Sequence, residues 1–237
     1  MLNVLPGITL ALVVAFMTGT CQAKLKDGCK FETLRACGED YFPFGKDTHL
    51  ATSGEPFVKQ CATFKKQLTC SKTFAADCLE GVAKAVATLA LETYKESVDE
   101  ICTTDSKLNE AYHKSISCLN SVGAKLHSCV NNLQGNLQKA VLKAPKKDLI
   151  PHLCCSYGGL LDCAEPALTP CDKVGGKEFM TSLLDKVLGE VLTPLCKKYK
   201  RGSDFCKALP NLPALGPNDR KVQSFVELII EAVNKGI

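Results

Sequence analysis

The chain carries fifteen cysteines, and thiols can do three kinds of chemistry: attack a substrate, hold a metal, or close disulfides. Nucleophilic work needs a base beside the thiolate, and zinc work needs ligands in close pairs. The chain has no C-x2-C and no C-x4-C, and Cys154-Cys155 is a bare doublet, a poor start for one tetrahedral site. Its four histidines, His49, His113, His127 and His152, form no H-x3-H. Disulfides are therefore the predicted chemistry. The half-cystines are Cys29, Cys37, Cys61, Cys70, Cys78, Cys102, Cys118, Cys129, Cys154, Cys155, Cys163, Cys171, Cys196 and Cys206.

Their spacing repeats. Cys29, Cys37 and Cys61 are separated by 8 and 24 residues, and Cys70, Cys78 and Cys102 repeat both steps. Cys163, Cys171 and Cys196 follow at 8 and 25, with a looser copy, Cys118, Cys129 and Cys154, at 11 and 25. The best register pairs Cys61, Cys70, Cys78 and Cys102 with Cys154, Cys163, Cys171 and Cys196, at offsets of 93, 93, 93 and 94. Phe64 then matches Tyr157, and Leu68 matches Leu161. An eight-residue step is close to two helical turns, so both cysteines can face one partner helix. The register favours an internal duplication, with repeat units 61–102 and 154–196, over chance. Cys155 and Cys206 are left over and available to each other; spacing leaves the connectivity open.

Other catalytic signals fail on inspection. There is no G-x-S-x-G and no H-E-x-x-H. The stretch Leu153-Cys154-Cys155-Ser156-Tyr157 invites comparison with secreted phospholipase A2, but Gly158 stands where that enzyme's histidine would be. His113 and His127 lie about 21 Å apart along one helix, too far to share a ligand. Glu92, Glu96, Asp99 and Glu100 read as a solvated helix face. Lys197-Lys198-Tyr199-Lys200-Arg201 reads first as a helix C-terminus stopped by Gly202, where cations complement the dipole. A polyanion site and dibasic processing after Arg201 are the alternatives. No catalytic, cofactor-binding or metal-ligating residue is assigned, and the protein is expected not to be an enzyme.

Helices must position these sulfurs. Apolar residues recur at three- and four-residue steps almost throughout, which predicts an all-α, disulfide-stapled helical bundle, in two related halves if the duplication holds. One helix is expected over Glu55–Leu68 from near Ser53, and another over Thr73–Cys102 capped by Ser71. A long helix from Asp105 to Ala144 carries Tyr112, Leu119, Leu126, Leu133 and Ala140 at every seventh position. Ile116, Gly123, Val130 and Leu137 fill the second stripe, with a defect at Gly123 and a break expected near Gly135. Asp148–Ala164 should be interrupted at Pro151 and Gly158-Gly159, and Lys177–Lys200 should bend at Pro194. Ala208–Pro217 reads as an extended connector, and the last helix, from Asn218, as an amphipathic one docked on the body.

Residues 1–23 are uncharged and read as a signal peptide cut after Ala23, which would remove Cys21 and leave an even fourteen cysteines. Residues 24–237 then form a single disulfide-rich helical domain, expected to be secreted, with no later stretch apolar enough for a membrane span. A net charge of +4 makes no case for nucleic acid. There is no N-x-S/T sequon.

The signal segment, the helical cysteine ladder, the Cys154-Cys155-Ser156-Tyr157 doublet and Leu161-Asp162-Cys163 together resemble the arthropod 27 kDa haemolymph glycoprotein family. The resemblance covers most of the mature chain and implies a secreted body-fluid protein of undefined activity. It transfers no functional residue. The expected function is a non-enzymatic protein of extracellular fluid, a carrier of a lipid or other hydrophobic small molecule. The alternative is a secreted effector (salivary, venom or immune) that binds an extracellular protein.

Overall fold

A computed structural model describes residues 25–236. The predicted signal peptide, with Cys21, lies outside the described residues. The chain runs α1 (Phe31–Cys37), α2 (Gly54–Cys78), α3 (Gly81–Ile101), α4 (Lys107–Ser121), α5 (Gly123–Lys143), α6 (Leu149–Leu168) and α7 (Gly176–Leu184). A π-helical turn, Asp185–Gly189, leads into α8 (Glu190–Leu192), then α9 (Asp204–Lys207) and α10 (Phe225–Gly236). Among the described residues there is no strand, and no helix is long and apolar enough to cross a membrane. The all-α, disulfide-stapled bundle is as expected.

Seven disulfides pair the fourteen cysteines, and the pairing repeats. In the first half Cys29 bonds Cys78, Cys37 bonds Cys70 and Cys61 bonds Cys102. In the second half Cys118 bonds Cys171, Cys129 bonds Cys163 and Cys154 bonds Cys196. Both sets join first to fifth, second to fourth and third to sixth, across separations of 49, 33 and 41 and then 53, 34 and 42 residues. Cys155 bonds the other leftover cysteine, Cys206. Native bridges of this kind typically add ~2–4 kcal/mol each.

Several boundaries differ from the sequence expectation. Ser71 caps nothing: it is buried mid-helix in α2, where its hydroxyl meets that of Tyr41 at 3.3 Å. The cap of α4 is Ser106, not Asp105; its Oγ accepts from the Asn109 amide at 3.0 Å. The long helix breaks at Val122, so Gly123 opens α5, while Gly135 interrupts nothing. A Cβ on Gly123 would meet the Thr48 carbonyl at 1.9 Å, whereas one on Gly135 meets open space. Glycine is needed at 123 because the 38–53 connection crosses there. Asn120 fixes that crossing, accepting from the Leu50 amide at 2.9 Å and donating to the Leu50 carbonyl at 2.8 Å.

Helix α6 runs unbroken through Pro151 and Gly158-Gly159, since Pro151 falls in the first turn, where its missing N–H costs no bond. The helix expected to bend at Pro194 stops at Leu192. The last helix starts at Phe225, seven residues later than expected; ahead of it the Arg220 and Gln223 carbonyls accept from Gln138 and Gln134 of α5. Its N-terminus carries a readable signal, Ser224-x-x-Glu227, and the Ser224 hydroxyl accepts from the Glu227 amide at 3.0 Å.

Helix α10 is buried on nearly all sides rather than along one stripe. It packs on α3, α5 and α6. Three apolar cores form around it and along the α4–α7 contact, and each draws side chains from both halves.

Candidate functional site

The apolar interior leaves three adjoining voids. The largest, about 70 Å³, lies where α3, α5, α6, the π turn and α10 converge, lined by residues such as Ala87, Leu137, Leu153, Val187 and Ile230. A second of about 50 Å³ shares Phe42, Leu133 and Leu188 with it. A third of about 30 Å³ touches the first through Tyr94 and the second through Met180. Single side chains thus partition one belt of apolar space. Both helices that follow the third cysteine of the matched sets contribute, α3 through Val86, Ala90 and Tyr94, and its counterpart through Val187 and Leu188.

The π turn shapes that wall. A π turn closes its hydrogen bonds one residue later than an α turn, so it holds an extra residue and re-aims the side chains beyond it. Val187 and Leu188 line the largest void from this turn, and the Tyr157 hydroxyl donates to the Leu184 carbonyl at 3.4 Å just before it. The two other tyrosines here are also turned to structure. The Tyr94 hydroxyl donates to the Tyr41 carbonyl, and burial pushes both phenols well above their ordinary pKa, so neither ionises.

Phe42 stands at the boundary of the site. Its ring stacks on Phe225 with centroids 4.7 Å apart and meets Tyr94 edge-on at 6.4 Å. Inward, Phe42 lines the two larger voids; outward, Phe42 and Phe225 line an open cleft of about 490 Å³ with Arg35, Glu39, Asp40, Lys46 and Gln134. An open polar cleft and an apolar belt are separated by one aromatic pair. The Phe42 turn is anchored below by the Cys37–Cys70 bridge and by Asp40, whose amide donates to Gln67 Oε1 at 3.0 Å. The Gln67 amide and Lys46 hold the Asp40 carboxyl below its ordinary range.

On the other side of the aromatic pair, the N-terminus of α10 is held by charge. Glu39 accepts from the Phe225 and Val226 amides at 2.8 and 3.3 Å and from the Ser224 hydroxyl. Burial raises its pKa, against the pull of those hydrogen bonds. Glu227 and Glu231 are both 0% exposed. Arg35 grips Glu227 with two bonds of 2.7 Å, Arg220 bridges Glu227 and Glu231, and Lys235 pairs with Glu231 at 2.8 Å. Buried carboxylates need such partners, and losing one would strand a charge. No disulfide lies beyond Cys206, so α10 is held by packing, this cluster and a Lys143–Asp219 bridge at 2.7 Å.

The residues flagged in the sequence fall elsewhere. His113 and His127 donate Nδ1 to the carbonyls of Thr52 and Phe44, at 2.9 and 2.8 Å, and so fasten the 38–53 connection. Phe44 itself is buried at φ 57°, a left-handed conformation rare for a bulky residue, beside the candidate site. Among the described residues no group of acidic, histidine or cysteine side chains has metal-binding geometry. Glu92 pairs with Lys72, and Asp99 with Lys65 and Lys95, on exposed faces. The Lys197–Arg201 run does not end a helix. It lies in turns beyond Cys196, past the end of α8 at Leu192. Cys196 and Cys206 are bridged to Cys154 and Cys155, not to each other, so a cut after Arg201 would leave the chain joined through α6. Sequence reasoning missed Phe42, Glu39 and Arg35, which carry no motif; only their shared approach to α10 marks them.

A family model described as protein of unknown function (DUF1397) matches residues 43–192. That span covers α2 to α8 and leaves α1, the basic run and α10 outside it. No curated protein and no solved structure matches the chain.

Proposed function

The chain belongs to the DUF1397 family, whose description states no activity, and from that premise we propose that it is a secreted, non-enzymatic carrier of an apolar or amphipathic small molecule. The observation that carries this reading is the belt of apolar voids behind the Phe42–Phe225 pair. Empty space of this kind forfeits dispersion contacts, and natural cores hold little of it. Each void is far below the ~300–1,000 Å³ of a drug-sized site, so uptake requires a wall to move. Helix α10 is the wall that no disulfide ties down, and Phe42 is the partition between cleft and interior. An apolar chain entering past Phe42 would merge the voids and leave its polar end in the cleft.

Seven disulfides suit an oxidising, extracellular setting, which supports the secreted reading. The resemblance to haemolymph proteins supports body fluid as that setting. Native mass spectrometry of the protein from its source fluid, before and after organic extraction, tests the proposal. A small-molecule adduct that extraction removes is expected. Titration of the extracted protein with a fluorescent polyunsaturated fatty acid should saturate, and Phe42→Trp should weaken uptake by filling the larger voids. An unadducted chain that takes up no probe overturns the carrier reading.

A further inference from the structure

We propose that the loop between Cys196 and Lys207 is a docking surface for anionic lipid bilayers. Its construction begins with the cysteine doublet. Cys154 and Cys155 are neighbours on α6, and their bridges to Cys196 and Cys206 pin both ends of the loop to one point on that helix. Arg201, near the middle, reaches Asp162 and Glu165 on α6, each at 2.5 Å. Gly158 admits the Arg201 backbone, since a Cβ there would lie 3.3 Å from the Arg201 Cα. Positions 154, 158, 162 and 165 fall on one face of α6, so the loop is laid along the helix and held in three places.

This fastening uses one cation of the run and leaves the others outward. Lys197, Lys198 and Lys200 are exposed, and none of them has a carboxylate within ion-pair distance among the described residues. Three cations within four residues repel one another, and the helix-end account of their placement does not apply here. Beside them Phe205 is 55% exposed, with Tyr199 edge-on to it at 5.8 Å. A soluble polyanion would reward the lysines and ignore Phe205. A bilayer with anionic headgroups rewards both: charge at the surface and an aromatic ring at the interface. Pinning the loop beforehand removes much of the ordering cost of binding. No residue from 197 to 207 lines the voids, so the inference stands apart from the carrier reading.

Co-sedimentation of the full chain with phosphatidylcholine vesicles, with and without phosphatidylserine, tests it. Binding is expected only with phosphatidylserine, and it should fall as salt rises. The K197E/K198E/K200E variant should lose roughly a hundredfold in affinity. F205S should lose affinity several-fold with unchanged salt dependence, and K59E/K66E, a charge reversal on exposed α2 positions, should bind as the parent does. The proposal is overturned if the triple variant still binds, if F205S binds normally, or if K59E/K66E loses as much as the triple variant. Binding to a sulfated polysaccharide without binding to vesicles overturns it too. Circular dichroism and thiol counting on each variant separate lost docking from lost folding.

Discussion

Helix α3 and its counterpart across the 93-residue register do the same job with different backbones. Each follows the third cysteine of its set, and each leads to a bridge back to the preceding long helix, Cys61–Cys102 or Cys154–Cys196. Helix α3 is unbroken for 21 residues. The counterpart reads α7, π turn, α8 and stops at Leu192. The cysteine offset grows from 93 to 94 across this stretch, and a π turn holds one extra residue. The π turn falls within the stretch where the offset grows, and two of its side chains, Val187 and Leu188, face the largest void. On α3 the same void is lined by the Tyr94 ring, fixed by its bond to the Tyr41 carbonyl. One half keeps a regular helix and a locked aromatic; the other trades regularity for a wall of aliphatic side chains.

Deleting one residue from each helix is the harshest way to break this comparison. Removal of Glu92 from α3 would rotate everything after it by about 100°, turning Tyr94 and Val98 out of the core. A loss above ~4 kcal/mol, or no folding, is expected. Removal of Lys186 from the π turn should restore an α-helical register, keep the fold and cost less than about half as much. Denaturant unfolding of both variants reads the difference; equal losses would dissolve the insertion argument.

A gentler pair sits on α5. Gly123→Ala drives a Cβ into the Thr48 carbonyl and should cost ~1–3 kcal/mol, while Gly135→Ala, facing open space in a helix interior, should gain ~0.5–1 kcal/mol. Thermal melts of the two variants should move in opposite directions. A shared direction would mean that the 38–53 connection does not press on α5 as described.

The smallest effect concerns the cap of α10. Burial raises the Glu39 pKa in the folded chain, so on acidification the folded form takes this proton before the unfolded form does. Its contribution to stability is present below the ordinary glutamate value of about 4.5 and is lost as pH rises through the raised folded value. Glu39→Gln should flatten the stability curve in that window, with its single amide oxygen still able to accept from one of the Phe225 and Val226 amides. Stability measured against pH checks this, and an unchanged slope would show that Glu39 is not the titrating group.

Much of the fold was legible because it depends on local pattern. The seven-residue stripe from Tyr112 to Ala140 is buried throughout, and the leftover cysteines pair with each other. Boundaries were less legible where distant contacts override local preference. Ser71 looks like a cap until the Tyr41 hydroxyl is seen beside it, and Gly135 looks like a break although nothing crosses there. The candidate site was the least legible part. Phe42, Glu39 and Arg35 lie in or beside a turn-rich stretch of the first half, and their partners Phe225 and Glu227 lie nearly two hundred residues away.

What the amino-acid sequence determined by itself is the ladder: helical periods, recurring cysteine steps and a register that slips by one residue. These follow from spacing along one chain. Which sulfurs met within the two sets, where the π turn falls, and that the amphipathic last helix would be buried on nearly all sides were decided only by tertiary structure. The reason is physical: pairing, π-turn placement and burial of Glu227 and Glu231 depend on which surfaces come together, and no local preference encodes the Arg35 and Arg220 that make that burial tolerable.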